Sequence, residues 1–324
     1  MTILALAGGV GGAKLADGLA AILQPGELTV VVNTGDDFEH FGLHVSPDID
    51  TVTYTLAGIN NQEQGWGLAG ETWSCMAALE RLGGETWFRL GDHDLATHLE
   101  RTRRLKTETL SAVTADFAVR LGIKQHIVPM SDEPVRTMVE TDRGNMPFQD
   151  YFVRMACAPA VKGLTFNGLL QARPSPGFLG ALNDPALEAI VICPSNPFLS
   201  VLPIISVNGV LPILCKRTVP MIVVSPIVGG KAIKGPAAKI MGEFGMQASC
   251  VAVAGYYAND LLQMADGIVI DSEDAAEAIR IKDLDVHVAD TIMRNRDDKA
   301  RLAREVLDFA RHVAPRPIPY IGPL

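Results

Sequence analysis

The amino-terminal segment carries the first residues that could do chemistry. An apolar run at residues 2–7 leads into the glycine-rich segment GGVGGAK at residues 8–14, and a helical pattern follows over residues 15–23. Glycine lets a backbone approach an anion closely, and the N-terminus of a helix attracts the anion through its free N–H groups. Lys14 adds a positive charge beside that turn. The pattern predicts a phosphate-binding turn; the alternative is a tight turn that serves packing alone.

This turn differs from the standard nucleotide-binding motifs. A Walker loop would have glycine in place of Ala13, and serine or threonine in place of Leu15. A dinucleotide-binding fingerprint would have glycine or alanine in place of Lys14. The turn therefore indicates anion binding without either standard motif.

Two neighbouring loops carry four aspartates. The segment NTGDDFEHFG at residues 33–42 follows the second apolar run, and SPDIDT follows at residues 46–51. Mg²⁺ prefers one or two carboxylates together with water and substrate phosphate oxygens, so the loops predict a hard-cation site. Its candidate ligands are Asp36, Asp37, Asp48 and Asp50. The alternative is that the acidic residues after the serine–proline pair only complement the dipole of a helix that begins there.

A third region combines tryptophans with a histidine between two carboxylates. Trp66 and Trp73 could stack on a flat heterocycle, although a tryptophan is more often a core residue. The triplet Asp92-His93-Asp94 stands where a strand is expected to end and a helix to begin, and Asp92 could cap that helix. Histidine and carboxylates held by a rigid element are common acid–base groups, so the triplet predicts a base or a substrate-orienting group.

Two later loops could hold the other half of an anionic ligand. Residues 193–200, CPSNPFLS, follow a buried strand and offer serine and asparagine donors. Residues 224–236, VSPIVGGKAIKGP, follow another strand and place two glycines and two lysines before a helix. Either loop could be an ordinary connection. Together with the amino-terminal turn, the two loops favour a multi-phosphate or nucleotide-linked ligand.

Strands and helices that alternate along the chain must position these segments. Short runs rich in valine and isoleucine predict strands at 2–7, 28–33, 125–129, 189–193, 221–225, 249–252, 267–270 and 286–289. Helical patterns are clearest at 77–82, 95–104, 110–121, 236–244 and 299–312. The alternation predicts an α/β fold with a mainly parallel sheet and helices on both faces. In such open sheets ligands bind outside the carboxyl ends of the strands, where the segments above stand.

One interval interrupts this alternation. Residues 131–176 are polar and rich in proline and glycine, yet they retain too many apolar and aromatic residues to be disordered. We interpret them as a cap inserted on the substrate side of a single domain that spans residues 1–324.

Composition narrows the class of protein. With 324 residues, 48% of them hydrophobic and 6% aromatic, the chain can form a large aliphatic core. The net charge of −9 argues against a broad surface for nucleic acid or an anionic membrane. The five cysteines lie far apart, so neither a zinc site nor a disulfide framework is expected. No signal-peptide pattern or membrane-spanning run is visible, and we expect a soluble cytoplasmic protein.

The motifs, taken in order, resemble the 2-phospho-L-lactate transferase family of coenzyme F-420 biosynthesis. The matching segments are residues 8–14, 32–37, 47–51, 90–94, 193–197 and 225–230. The resemblance covers essentially the full chain and implies a Rossmann-like domain and a Mg²⁺-dependent transfer. In that reaction the hydroxyl at the end of the ribityl chain of the deazaflavin Fo attacks a guanylylated phospho-acid, and GMP leaves. The acid is lactate, enolpyruvate or glycerate, which differ by one small group.

The resemblance also implies roles for individual residues. Metal binding is assigned to Asp37 and Asp50, with Asp36 and Asp48 in support. Phosphate contacts are assigned to Gly11, Gly12 and Lys14. The residues that orient the phosphate or the ribityl chain are Asn33, Ser195 and Asn196. Those near the guanosine are Ser225, Gly229 and Gly230.

Two further candidates come from the residues themselves. Asp92 joins Asp37 and Asp50 as a catalytic candidate, because it belongs to the acid–base triplet. Trp66 stands between two glycines in a loop and has less reason to be a core residue than Trp87, which is expected at a strand. We therefore expect Trp66 to stack on the flat ring system of Fo.

Two other functions are alternatives. A nucleotide-sugar-binding regulatory protein related to the gluconeogenesis factors would bind without turnover, whereas the acidic pairs at 36–37 and 48–50 favour metal-assisted chemistry. An NAD(P)-dependent oxidoreductase would have an acidic residue at the end of the second strand, which here ends in Asn33-Thr34. We expect the transferase, a homodimer with Mg²⁺ as cofactor and with Fo and a guanylylated phospho-acid as substrates.

Overall fold

A computed structural model of the chain describes residues 1–261 and 263–316; positions 262 and 317–324 of the predicted single domain lie outside the described residues. The strands are β1 (Thr2–Ala7), β2 (Leu28–Val32), β3 (Phe38–His40), β4 (Leu43–Val45), β5 (His126–Pro129), β6 (Arg136–Thr141), β7 (Gly144–Pro147), β8 (Val161–Asn167), β9 (Leu187–Ile192), β10 (Met221–Val224), β11 (Ile227–Val228), β12 (Lys231–Ala232), β13 (Gly267–Asp271) and β14 (Asp285–Ala289).

The α-helices lie between these strands. They are α1 (Gly9–Ile22), α2 (Pro47–Leu56), α3 (Ser74–Arg81), α4 (Asp92–Arg104), α5 (Leu110–Arg120), α6 (Pro176–Leu182), α7 (Leu202–Ser206), α8 (Val210–Leu214), α9 (Ala237–Glu243), α10 (Cys250–Gly255) and α11 (Arg296–Ala310). Short π-helical turns lie at Asp150–Arg154, Pro197–Val201 and Tyr256–Asp260, and a 3₁₀ segment lies at Ser272–Arg280. None of the described helices is long and apolar enough to cross a membrane.

Seven parallel strands form the central sheet, in the order β14-β13-β10-β9-β1-β2-β5. β1 lies between β2 and β9, and its Ala5 is in register with Val30 on one side and Val191 on the other. The chain builds outward from β1 through β2 and β5, and then crosses to the other side through β9. Such a reversal of strand order opens a crevice at the carboxyl end of β1, where the glycine-rich turn follows.

Both faces of the sheet are buried. On β1, Leu4 and Leu6 belong to one apolar cluster, whereas Ile3 and Ala5 belong to the other, because successive side chains of a strand point to opposite faces. Residues of α9 and α10 complete the first cluster, and residues of α1 and α11 complete the second. The predicted α/β, Rossmann-like fold with helices on both faces is confirmed.

The interval at residues 131–176 forms a smaller sheet of its own. β6 pairs antiparallel with both β7 and β8, and the π-helical turn Asp150–Arg154 follows β7. Val139 and Tyr151 are buried in the same apolar cluster as Leu4. The backbone N–H of Thr137 donates to the carbonyl of Gly35 at 2.7 Å, which joins this sheet to the loop after β2.

Two sequence-based expectations about local structure are wrong. The strand expected at residues 249–252 is the start of α10, where the Ser249 hydroxyl accepts a hydrogen bond from the N–H of Ala252. A short apolar run has no distinguishing period, so the serine cap decides the outcome. The strand expected before Asp92 is also absent from the described chain, since residues 87–91 are irregular and α4 begins at Asp92 itself.

Candidate active site

A cavity of about 540 Å³ opens at the carboxyl edge of the central sheet. Its wall includes the segments that follow β1, β2, β9, β10 and β14, because the carboxyl ends of neighbouring parallel strands meet at one edge. The sequence-predicted residues on this wall are Gly11, Lys14, Asp36, Asp48, Asp50, Trp66, Ser195, Asn196 and Ser225.

Helix α1 begins inside the glycine-rich turn. The N–H of Gly8 donates to Ser195 Oγ at 3.0 Å, and the N–H of Gly9 donates to Asp48 Oδ1 at 2.7 Å. A Cβ on Gly12 would lie 2.6 Å from Ser195 Oγ, so only glycine fits there. The glycines therefore serve packing against the loop after β9, and the same close approach brings the N-terminus of α1 to the cavity.

Asp48 stands at the N-terminus of α1. Its Oδ2 accepts a hydrogen bond from Asn33 Nδ2 at 3.0 Å, and Asn33 Oδ1 in turn accepts the N–H of Gly35 at 2.8 Å. Burial raises the pKa of Asp48 to about 6, although the hydrogen bonds from Asn33 and Gly9 act to lower it. Asn33, which the resemblance assigned to substrate, thus positions Asp48.

Asp36, like Asp48, is a carboxylate on the cavity wall without a positively charged partner among the described residues. Burial, and then repulsion from Asp48 and Asp37, raises the pKa of Asp36 well above its usual value. Its buried Oδ1 makes no hydrogen bond to any described residue. Buried like charges are unfavourable unless a proton or a cation neutralises them. The Asp36–Asp48 pair therefore fits a divalent cation that prefers oxygen ligands, such as Mg²⁺.

The other two aspartates have partners inside the protein. Asp37 Oδ2 accepts a hydrogen bond from Ser46 Oγ at 2.9 Å and lies 3.1 Å from His44 Nε2, behind the cavity wall. Asp50 lies on the wall, but both of its oxygens accept hydrogen bonds from the guanidinium of Arg101. Within the described chain no such ion pair reaches Asp36 or Asp48.

A buried polar cluster on α2 and α4, which we call the Arg101 cluster, surrounds Asp50. Tyr54 Oη donates to Asp94 Oδ1 at 2.7 Å. His98 lies between two carboxylates, with Nε2 3.5 Å from Asp94 Oδ1 and Nδ1 3.7 Å from Asp50 Oδ2. Arg101 is 1% exposed. The members of the cluster are Asp50, Tyr54, Asp94, His98 and Arg101.

The sequence analysis named Asp50 and the triplet that contains Asp94, but it missed the other three members of the Arg101 cluster, Tyr54, His98 and Arg101. Asp50, Asp94 and His98 are spaced closely enough to hold a metal ion, yet Arg101 already supplies the positive charge there. The signal in the sequence was helical spacing, because Asp94, His98 and Arg101 follow one another at intervals of four and three residues and share one face of α4.

Asp92 lies away from the cavity wall. Its carboxylate accepts hydrogen bonds from Thr72 Oγ1 and from the N–H groups of Ser74 and Cys75, at the start of α3. These bonds lower the pKa of Asp92. Its neighbour in the triplet, Asp94, faces the cavity instead, because successive positions of a helix point in different directions.

Two lysines bring positive charge to the cavity. Lys14 Nζ donates to the carbonyl of Met293 at 2.9 Å, and Lys234 Nζ donates to the carbonyl of Gln64 at 2.9 Å. Burial, followed by repulsion from Lys299 and Lys234, lowers the pKa of Lys14. Neither ammonium group has a carboxylate partner in the part of the chain that the structure describes, so both can meet an anion.

Comparison with known proteins gives the family. The family model of 2-phospho-L-lactate transferase CofD matches residues 3–307. The chain belongs to this family. A phosphoenolpyruvate transferase of Streptomyces coelicolor is 38% identical over 321 residues, which cover 97% of this chain and 99% of that relative. A 2-phospho-L-lactate transferase of Methanosarcina mazei is 38% identical over 308 residues, 94% of this chain and 99% of that relative.

The chain is therefore a transferase, as the resemblance of its motifs predicted. Its fold also occurs in a crystal structure of a UPF0052 family protein from Bacillus halodurans, with a TM-score of 0.62 and 13% sequence identity. The superposition covers 94% of this chain and 98% of that one. At this identity the likeness shows the fold alone.

The two later loops, at residues 193–200 and 224–236, contribute some residues to the cavity wall and others that lie outside it. Asn196 Oδ1 caps the π-helical turn that follows it, and its buried Nδ2 has no partner among the residues described. Ser225 lies on the wall, and its hydroxyl bonds within its own turn to Ile227. Gly229 and Gly230 lie farther out: the N–H of Gly229 donates to the Asp274 carboxylate, and both glycines have positive φ. Their family assignment to guanosine stays a prediction.

Aromatic side chains from three segments line the transferase cavity. We call this group the aromatic rim: Trp66, Trp87, Phe88, Phe148 and Phe152. Trp66 is 44% exposed and stands edge-on to Trp73, with ring centroids 6.4 Å apart. Phe148 and Phe152 come from the inserted interval and stack with centroids 5.3 Å apart. The sequence singled out Trp66, and the tertiary structure adds the other four rings to the wall of the same cavity.

Proposed function

We propose that this transferase moves a phospho-acid group from a guanylylated donor to the terminal ribityl hydroxyl of Fo, with release of GMP, in coenzyme F-420 biosynthesis. The charge arrangement of the cavity carries the proposal. Asp36 and Asp48 lack a positive partner, and Lys14 and Lys234 lack a negative one, among the described residues. A diphosphate-linked substrate with a divalent cation would satisfy both sets at once.

Asp36 and Asp48 are the residues that would hold Mg²⁺. The resemblance gave Asp37 and Asp50 the leading role, but we favour the other pair, since Asp37 lies off the cavity wall and Asp50 is paired with Arg101. When bound, the ion supplies charge neutralisation at the attacked phosphate.

The remaining polar groups position the donor. Lys14 and the positive dipole end of α1 line the cavity and would bind the phosphate that leaves with GMP, which would stabilise the negative charge that develops there. Asn196 Nδ2 is a spare donor on the same wall. Attack by a hydroxyl at phosphorus needs in-line positioning and charge neutralisation more than covalent catalysis, and the described wall offers groups of that kind.

The aromatic rim is where we place the ring system of Fo. A planar heterocycle gains stacking energy on aromatic faces beyond the burial of its area. Trp66 and Phe152 are partly exposed, at 44% and 37%, so part of each ring is accessible to a ligand. The ribityl chain would then extend from the rim toward Asp36 and Asp48.

Product analysis tests the function. The protein is incubated with Mg²⁺, Fo and each guanylylated acid in turn, derived from lactate, enolpyruvate or glycerate, and the products are identified by mass spectrometry. We expect equal amounts of GMP and a phospho-acid ester of Fo, with no product after EDTA. Donor binding without product from any of the three acids would instead support the binding-protein alternative. Activity that EDTA does not diminish would reject the cation.

A further inference from the structure

The inserted sheet touches the loop that carries Asp36 at three points. The backbone N–H of Thr137 donates to the carbonyl of Gly35 at 2.7 Å. Gln149 Nε2 donates to the carbonyl of Asp36 itself at 3.2 Å. A Cβ on Gly35 would lie 2.7 Å from Thr137 Oγ1, so the hydroxyl is pressed against this loop. Strand β6 and the turn after β7 thus pack directly against the loop after β2.

Both polar side chains are buried at this contact. Thr137 is 2% exposed and Gln149 is 5% exposed, and Gln149 also lies on the cavity wall. The Thr137 hydroxyl lies against the loop that carries Asp36, and neither Thr137 Oγ1 nor Asp36 Oδ1 completes a hydrogen bond with a described residue. Buried polar groups left in this state are costly unless a further group completes the arrangement.

We infer that the inserted sheet is a working part of the cation site, in which Thr137 and Gln149 position Asp36 for a divalent cation. This inference rests on the proposed function, which places the cation at Asp36 and Asp48. Gln149 fixes the backbone of Asp36, and the Thr137 hydroxyl steers its carboxylate. Both are positioning residues, since neither is assigned a contact with substrate.

The competing explanation is that the two side chains only fill space between the sheets. Threonine and valine have nearly the same volume, so Thr137→Val removes the hydroxyl and keeps the packing. Thr137→Ser keeps the hydroxyl and loses a methyl group. The matched control is Thr141→Val on the same face of β6, because the Thr141 hydroxyl is buried but bonds to the carbonyl of Gly144 in the hairpin turn.

The test is the uptake of Mn²⁺, used as the probe, by the substrate-free protein, followed by electron paramagnetic resonance. We expect Thr137→Val to raise the Kd for Mn²⁺ about tenfold, because the variant lacks the hydroxyl that would donate to the Asp36 carboxylate in the cation-bound site. Gln149→Met should raise it about threefold through the looser backbone. Thr137→Ser and Thr141→Val should bind as the unsubstituted protein does. In turnover, the Mg²⁺ requirement of Thr137→Val should rise while the KM for Fo is unchanged.

Each outcome bears on one claim. Equal Mn²⁺ affinity in Thr137→Val and the unsubstituted protein, or equal weakening in Thr137→Val and Thr141→Val, would overturn the inference and leave the cation site intact. If the unsubstituted protein takes up no Mn²⁺, the cation of the proposed function fails first, and this inference with it. Weakening in Thr137→Ser as large as in Thr137→Val would assign the effect to packing and also overturn it.

Discussion

Two groups of buried carboxylates stand on the same cavity wall. In the Arg101 cluster, the guanidinium holds both oxygens of Asp50, and Tyr54 donates to Asp94. In the Asp36–Asp48 pair, burial raises both pKa values, repulsion from Asp48 and Asp37 raises that of Asp36 further, and no cationic side chain of the described protein pairs with either carboxylate. The first group contains its own positive charge, whereas the second has no positive partner among the described residues. A group of buried charges without a counter-charge is therefore a better indicator of a ligand-binding site than a group that is already paired.

The largest expected effect comes from removing the positive charge of the Arg101 cluster. Arg101→Met should lower the free energy of unfolding by about 3–5 kcal/mol, because removing one partner of a buried ion pair leaves the other charge uncompensated. Urea denaturation monitored by circular dichroism measures the change. Asp50→Asn should also destabilise the protein. Unchanged stability in both variants would show that the Arg101 cluster does not hold α2 and α4 together.

The unbalanced group should behave in the opposite way. Asp36→Asn and Asp48→Asn should each lower kcat by about 100-fold or more, because an amide is a far weaker Mg²⁺ ligand of nearly the same size. Neither should lower the melting temperature measured without Mg²⁺. Near-normal kcat in both variants, with activity lost instead in a stable Asp37→Asn variant, would return the metal site to the pair that the resemblance favoured.

The raised pKa of Asp48 predicts a pH dependence of stability. The folded carboxyl keeps its proton up to a pKa of about 6, whereas the ordinary value is 3.8. The associated stabilisation is therefore complete below pH 3.8 and is lost as the pH rises through about 6, by on the order of 2–3 kcal/mol. Thermal melts in EDTA should show this loss in the unsubstituted protein and a smaller one in Asp48→Asn. Equal slopes would contradict the assignment.

A smaller effect concerns the donor. Lys14→Ala should raise the KM for the guanylylated acid about tenfold and leave the KM for Fo nearly unchanged, since we expect the ammonium group to bind the donor's phosphate. Lys231→Ala is the control, because Lys231 is exposed on β12. Equal weakening of both substrates by Lys14→Ala would mean that the lysine acts through the fold.

The smallest effect concerns stacking. Trp66→Ala should raise the KM for Fo about three- to tenfold with little change in melting temperature, because aromatic stacking contributes on the order of 0.5–1.5 kcal/mol. Trp73→Ala is the matched control, since Trp73 packs against Trp66 and Arg89. A sharp fall in melting temperature with unchanged Fo affinity would make Trp66 a packing residue. Fo would then be held by the rest of the aromatic rim.

Much of the fold could be predicted because its signals are local. Most strands of the central sheet are buried runs rich in valine, isoleucine, leucine or alanine that lead into small or polar residues, as at Leu28–Val32. The segment at 249–252 failed because its four residues fit a strand or a helix equally well. Its helical state depends on the Ser249 cap and on burial of Cys250 and Val253 against the first core.

The location of the site could also be predicted, because its signals are local too. Glycines, lysines and aspartates at the carboxyl ends of strands identify a phosphate and metal crevice in any open α/β sheet. Which aspartate is free could not be predicted, because that depends on Arg101 and His44, which lie on other elements. Asp92 and Asp94 differ in the same way: α3 engages one and Tyr54 the other.

The family, the parallel sheet and the place of the crevice could be predicted from the sequence, because these follow from local residue types and their order. Which charges are balanced depends instead on tertiary packing. A carboxylate's partner is set by which helix faces pack together, and so Arg101 on α4 neutralises Asp50 while Asp36 and Asp48 receive no positive side chain from the described chain. The inserted sheet shows the same division, since its contact with the Asp36 loop through Thr137 and Gln149 joins residues that are about a hundred positions apart.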